Sequence, residues 1–508
     1  FICIKFMSSV RTAIQLDEKV NEDLQNLVYK PRKHPGVMKH KNVPLPTQII
    51  KAMEASTEDF PVKKLVADGE ALCRYLAGRH PPSTQLERDE KYEQIKLKLL
   101  NKYKYKFNED MPEEERLKLD KYLHNEIIMK CKKQMYGWKP LNYDELGALT
   151  YMFGRSAQEY AVLVRIFGEI NDRMPEFSPK SFLDFGSGVG TGTWAATHFW
   201  KPSIYEYFCV DSSSAMNDLA DIILRGGRGN KTSSIKAISF RQFLPASNDL
   251  KYDLVLCAYT LFEMPTPEMR LEKLLKLWNK TGQFLVIVEM GTNAGFRLIS
   301  EARDFLLRYD AEIFAPCPHS KACPRFMVDD TPCNFTVKYS TIPLGSISQF
   351  KSELFSYIVL KKKTNLQETA EDSSSLNKRQ LIRKLGRFSR KREIELRSHV
   401  GSNSNSDDDD DYVATENENV EFDEEKLKEI NSVSCKWPRI VRPTLVRSKH
   451  TVCRMCTAEG QLKEVVATAS KHGKTAYYCV RSSNWGDLLP VNLSEVKKEE
   501  RFKNSKKE

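Results

Sequence analysis

The chain has 508 residues, too many for one ordinary hydrophobic core, so two or three domains joined by linkers are expected. No run approaches the ~18 consecutive apolar residues of a membrane-spanning helix, which argues against a membrane protein. A net charge of +11, with 79 Lys and Arg, suits a polyanionic partner, and 12 cysteines spread over so long a chain suit a reducing compartment better than a disulfide scaffold.

Residues 1–20 carry Met7 followed by SSVRTAI, with Arg and Ser and no acid before Asp17, the pattern of a mitochondrial targeting remnant. Residues 21–145 are rich in Lys, Glu, Leu and Tyr, and their helix-like patterning breaks at HPG (34–36), PLP (44–46) and HPP (80–82), so a helical N-terminal region is expected. Within it, NKYKYKF (101–107) interleaves cations with aromatics, a pattern that grips phosphates and stacks bases but also suits a solvated amphipathic helix. Leu149, Met152, Phe153, Tyr160, Leu163, Ile166 and Phe167 then recur at helical spacing as one core-facing stripe.

From Ser181 short apolar runs alternate with helical stretches, which predicts an α/β domain with a parallel, Rossmann-like sheet over residues 146–300. The predicted strands are 182–186, 207–211, 238–243, 252–259 and 284–290. DFGSGVGTG (184–192) follows the first of them and opens a helix. Gly186, Gly188 and Gly190 permit positive φ and close approach of backbone to a ligand, while the helix N-terminus offers unpaired N–H groups. Asp211 ends the second strand, where a carboxylate binds ribose hydroxyls. The leading Asp184 and the glycine spacing resemble class I methyltransferases that use S-adenosylmethionine (SAM) more than NAD dehydrogenases. That resemblance names Asp184, Gly186, Gly188, Gly190 and Asp211 as cofactor-binding. After the fourth strand the chain reads CAYTLFEMP (257–265), without the Asn/Asp-Pro-Pro-aromatic element of base N-methylation. Glu263 is a candidate acid–base group there, with a helix cap or solvated side chain as the plainer reading, and no catalytic residue is assigned.

Residues 301–362 are expected to hold a Cys-rich loop and the remaining sheet. APCPHSKACP (315–324) and PCNF (332–335) place Cys317, Cys323 and Cys333 in a proline-stiffened stretch, and CRMC adds Cys453 and Cys456. A metal centre is expected, closed by one of that downstream pair. The CxxC spacing should present both sulfurs to one side, so spacing does not choose between them. Nor does it choose zinc, with His319 as a further candidate ligand, over iron–sulfur. Cys73, Cys131, Cys209 and Cys257 read as small buried hydrophobes. Residues 363–434 form a low-complexity insert with a basic block (378–392), suited to phosphate contacts, and an acidic run (407–411); it should be disordered or loosely helical. Residues 435–490 are the metal-closing segment and 491–508 a charged tail.

Taken together, DFGSGVGTGTWAA, FRQFLP, FAPCPHSKACP and WGDLLP resemble the family of methyltransferase-like mitochondrial small-ribosomal-subunit assembly factors, from about His34 to Pro490 outside the insert. The resemblance implies a monomeric mitochondrial matrix protein that contacts small-subunit ribosomal RNA and ribosomal proteins and is needed for mitochondrial translation. It also implies bound SAM without methyl transfer, and a [4Fe–4S] cluster on Cys317, Cys323, Cys333 and Cys456. An active SAM-dependent ribosomal RNA methyltransferase is the alternative.

Overall fold

The computed structural model describes residues 10–38, 42–103, 112–134, 137–227, 232–247, 249–309, 311–325, 331–343, 348–363, 378–401 and 437–497. The chain starts with strand β1 (Val10–Leu16), helix α1 (Glu18–Gln25) and a short strand β2 (Asn42–Val43). Helices α2 (Thr47–Ser56) and α3 (Val62–Ala77) follow, then an antiparallel hairpin of α4 (Gln85–Tyr103) and α5 (Glu113–Gln134). The hairpin has its own small core of Ile95, Leu99, Tyr103, Leu123, Ile127 and Cys131. Tyr103 is therefore a packing residue, and the cation–aromatic run from Lys104 to Phe107 lies outside the described residues.

Helix α6 (Glu145–Arg173) begins with Asp144, whose carboxylate accepts the Gly147 N–H at 2.7 Å. Of its expected stripe, Leu149, Met152, Tyr160, Leu163, Ile166 and Phe167 are buried, as are Arg155, Glu159, Arg165 and Glu169. Those charges are tolerated because they pair: Arg155 Nε meets Glu159 Oε1 at 3.0 Å and its Nη1 meets Glu353 Oε1 at 3.0 Å.

The main sheet follows the predicted order. Strands β3 (Ser181–Phe185), β4 (Glu206–Val210), β5 (Ile238–Arg241), β6 (Tyr252–Ala258) and β7 (Thr281–Met290) run parallel in the spatial order β5-β4-β3-β6-β7. Helices α7 (Thr191–Trp200) and α8 (Ser214–Leu224) join α6 in one apolar cluster, while α9 (Pro267–Lys280) and α10 (Asn293–Leu306) join the other. Beyond β7 the sheet changes direction. β8 (Ala311–Ala315) and β9 (Phe335–Ser340) both pair antiparallel with the long β10 (Phe350–Lys362), which pairs antiparallel with β7. This reversed strand beside a five-stranded parallel sheet marks a Rossmann-like fold of the methyltransferase type rather than the all-parallel dinucleotide-binding form. It also clamps the cysteine-bearing loop, since β8 and β9 hold its two ends on one strand.

One expectation changes. The basic block is not loose: it forms helix α11 (Lys378–Gly401), which buries Leu385 and Phe388 against the α9–α10 side and ties Arg392 Nε to Asp304 Oδ2 at 2.9 Å. A low mean hydropathy hid three apolar residues at helical spacing. The acidic run lies outside the described residues. Strand β1 pairs along its whole length with β15 (Val491–Lys497). Ile14 and Val491 enter the core of a C-terminal unit in which β13 (Thr451–Cys456) pairs with β11 (Arg439–Ile440), β12 (Leu445–Val446) and β14 (Leu462–Ala467), packed by α12 (Lys474–Ser482). Among the described residues no helix is long and apolar enough to cross a membrane.

Candidate functional site

The first site forms where β3 and β6 diverge, the switch point at which parallel sheets open a crevice beyond their C-terminal ends. Gly186, Gly188 and Gly190 have φ of 76°, 51° and 90°, so the loop is built on left-handed backbone that other residues adopt only with strain. A Cβ on Gly186 would also lie 2.0 Å from Thr260 Oγ1. Asp211 locks the loop to β4: its carboxylate accepts the N–H of Gly188 and that of Ser213, each at 2.9 Å. Asp184 lies deeper than expected. It is buried against Gly192, burial with the nearby Asp211 and Glu159 pushes its pKa up to about 8, and its Oδ2 has no partner among the described residues. It supports the loop from below, while Asp211 and the glycines form the rim.

A strap formed by residues 137–144 crosses this end of the sheet. Trp138 Nε1 donates to the Phe262 carbonyl at 2.9 Å, the Leu141 N–H to Glu263 Oε2 at 3.1 Å, and Ser213 Oγ to the Tyr143 carbonyl at 2.7 Å. Glu263, the acid–base candidate, is thus one of the groups that hold the strap. Buried Arg79 binds both of its oxygens, with Nη2 to Oε2 at 3.2 Å, so the carboxylate anchors the strap. Tyr259 follows β6 with φ of 54°, its ring packed on the Arg155 guanidinium at 5.0 Å. Ser187 Oγ, Asn217 Oδ1 and Tyr259 Oη are buried and without partners among the described residues. Unpartnered polar atoms around a glycine loop fit a polar ligand such as SAM. Sequence reasoning missed the strap because two of its three contacts are made by the backbone, through the Leu141 N–H and the Tyr143 carbonyl, which leave no residue signature.

The second site draws Cys317, Cys323, Cys333 and Cys456 from three separate segments into one pocket, with His319, Arg325 and Arg439 on its walls. The cavity left between these side chains is small, about 20 Å3. Burial and the neighbouring thiols push Cys323 up to about 11, and raise Cys333 and Cys456 as well. Such thiols are neutral unless a cation draws the protons off. His319 Nε2 lies 3.2 Å from Cys456 Sγ. Arg303, buried, donates to the carbonyls of His319 at 3.3 Å and Lys321 at 2.5 Å and shapes the loop. Arg439 donates to the carbonyls of Pro316 at 3.1 Å and Gly486 at 2.8 Å and pairs with Glu169 of α6.

Cys453 does not join this set. In an extended strand residues three apart face opposite ways, so β13 points Cys453 with Met455 into the apolar core of the C-terminal unit and leaves Cys456 at the pocket. The expectation that both sulfurs share a side was wrong because it assumed a turn. One tetrahedral zinc ion, with Zn–S near 2.3 Å, needs sulfurs about 3.8 Å apart. Among the described residues no trio of His, Cys, Asp or Glu closes to the spacing of a single ion. Four thiols and an imidazole, with no oxygen donor, make a ligand set suited to a soft metal centre.

HPG and WGDLLP pack on each other: the Leu488 N–H donates to the Gly36 carbonyl at 2.9 Å, and a Cβ on Gly36 would meet Leu488 O at 2.1 Å. The profile of the family described as mitochondrial small ribosomal subunit Rsm22 matches residues 145–490, a span that contains both sites. The chain belongs to the Rsm22 family. Its relatives include the human protein named ribosome assembly protein METTL17, mitochondrial, at 31% identity over 91% of this chain and 86% of that one. The Saccharomyces cerevisiae protein named ribosome assembly protein RSM22, mitochondrial, is 23% identical over 65% of each chain. Among solved structures, the magnesium protoporphyrin IX methyltransferase of Synechocystis covers 51% of the chain at 12% identity and a TM-score of 0.27, so the fold assignment rests on strand order.

Proposed function

We propose that this Rsm22-family chain is a mitochondrial assembly factor of the small ribosomal subunit, working in the matrix, that binds SAM and a [4Fe–4S] cluster and contacts small-subunit ribosomal RNA without transferring a methyl group. The family match spanning both sites carries this reading. The names of the human and yeast relatives support the compartment and the assembly role. For SAM, Asp211 would hold the ribose and the loop of Gly186, Gly188 and Gly190 the methionine part. Bound there, SAM would brace the crevice; its methyl group has no acid–base partner in Glu263, which Arg79 engages. Cys317, Cys323, Cys333 and Cys456 would hold the cluster, which supplies a link between the Rossmann-like sheet and the C-terminal unit.

The test is anaerobic purification with measurement of iron, sulfide and zinc. Wild type should be brown with about four irons and four sulfides. Cys456→Ser should lose them, whereas Cys453→Ser should keep them and lose only stability, by about 1–3 kcal/mol, because it places a hydroxyl in an apolar core. Zinc in place of iron, or loss of iron from Cys453→Ser, would overturn the ligand assignment.

A further inference from the structure

Helix α11 has two unlike faces. Leu381, Leu385, Phe388 and Arg392 form the docked side, against α9 and α10. At 3.6 residues per turn, Arg379, Arg383, Arg387 and Arg390 fall within an arc of about 80° centred about 170° from that side. All four are exposed. They repeat over about 16 Å, in steps of about 6 Å for the first three, so they form a straight row along the helix.

The carboxylates near α11 lie on its flanks or are engaged by other groups, and one, Glu268, borders the row beside Gly386, whose neighbours one turn away are Arg383 and Arg390. Its own acids, Glu393 and Glu395, fall on the flanks. Glu393 accepts from Thr84 Oγ1 at 2.7 Å, Asp304 holds Arg392, and Glu90 and Glu393 hold Arg397. Among the described residues Arg383, Arg387 and Arg390 make no ion pair or hydrogen bond to another side chain. Like charges at i,i+4 weaken a helix by about 0.2–0.5 kcal/mol per pair. The fold thus keeps a repulsive row on its surface, with the docked side anchored firmly enough to bear it. Every member is Arg rather than Lys, the cation whose planar fork grips phosphate in two places.

We propose that the arginine face of α11 is an RNA-binding surface that engages the phosphate backbone in a sequence-independent way. It rests on the reading above that the chain contacts RNA, and it names where. The helix fills a groove or lies along a strand as a rigid cationic rod, and it places the crevice and the cysteine pocket without reading bases.

The test uses the full chain, with fluorescence anisotropy on a labelled RNA hairpin and on transcribed small-subunit ribosomal RNA across a salt series, and with sedimentation on vesicles containing cardiolipin. The combined variant Arg383→Gln, Arg387→Gln, Arg390→Gln should lose about 0.7–0.9 of salt slope per contact. Between 50 and 200 mM salt it should therefore lose roughly 20- to 40-fold less affinity than wild type. The matching Lys variants should keep the slope. Single Arg387→Gln, which touches no core residue, provides the same test at about one third of the slope change should the triple variant fold poorly. Unchanged slopes in the Gln variants while wild type binds RNA would overturn this surface alone. Loss of vesicle binding with RNA binding intact would do the same in favour of a lipid headgroup. A wild-type chain that binds neither RNA would overturn both this surface and the RNA contact in the proposed function.

Discussion

Replacing Arg439 by Met should loosen the C-terminal unit from the sheet before either one unfolds. Arg439 is buried and its guanidinium serves three acceptors: the carbonyls of Pro316 and Gly486 and the carboxylate of Glu169. Met fills much of the volume and donates nothing, so two buried carbonyls lose their partner at about 1–3 kcal/mol each. Glu169 is not abandoned, because Arg173 Nη1 at 3.0 Å and Tyr357 Oη at 2.9 Å remain. Removing a buried guanidinium also returns part of its desolvation cost. The net loss is about 3 kcal/mol, about a hundredfold in the opening equilibrium of residues 437–497 relative to the sheet. Native-state hydrogen exchange or limited proteolysis reads that equilibrium by segment. The control is Arg454→Met, on the exposed side of β13, where the pair with Glu464 is worth about 0–1 kcal/mol. If Arg439→Met opened the C-terminal unit no more than Arg454→Met, Arg439 would not be the tie argued here.

Two further outcomes follow from the crevice. Asp184 has a folded pKa of about 8 against 3.8 for the ordinary group, so the folded state holds an extra proton between those values and stability falls as pH rises through them. Asp184→Asn should remove that slope and gain up to about 1.4 kcal/mol per pH unit over wild type, read from denaturant midpoints at about pH 5 and about pH 8; parallel pH profiles would contradict it. Gly186→Ala should be far more damaging than Gly188→Ala, since both have positive φ but only the former drives a Cβ into Thr260, whereas the nearest atom at Gly188 is Tyr151 Cε1 at 3.9 Å. Gly188→Ala should cost only the strain, about 1–2 kcal/mol, and equal thermal midpoints for the two variants would count against the packing argument.

The parallel strands, the glycine loop and the core stripe of α6 were legible in the sequence because each is local: a run of apolar residues, a spacing, a period of 3.6. So were the four cysteines as residue types, three of them in a proline-stiffened stretch. What stayed hidden depends on partners that no local pattern names, some of them hundreds of positions away. Cys453 and Cys456 differ only in which way a strand faces, and the strand exists because β11 and β14 pair with it. Glu263 reads as a candidate base until Arg79, 184 positions away, closes on it. The pairing of β1 with β15 joins segments almost five hundred positions apart, which no local pattern announces. The sequence by itself determined the kinds of element and the chemistry of the side chains. The tertiary structure alone decided which of those side chains are already satisfied, since a hydrogen-bond donor or a charge declares its role only through the partner that folding brings to it.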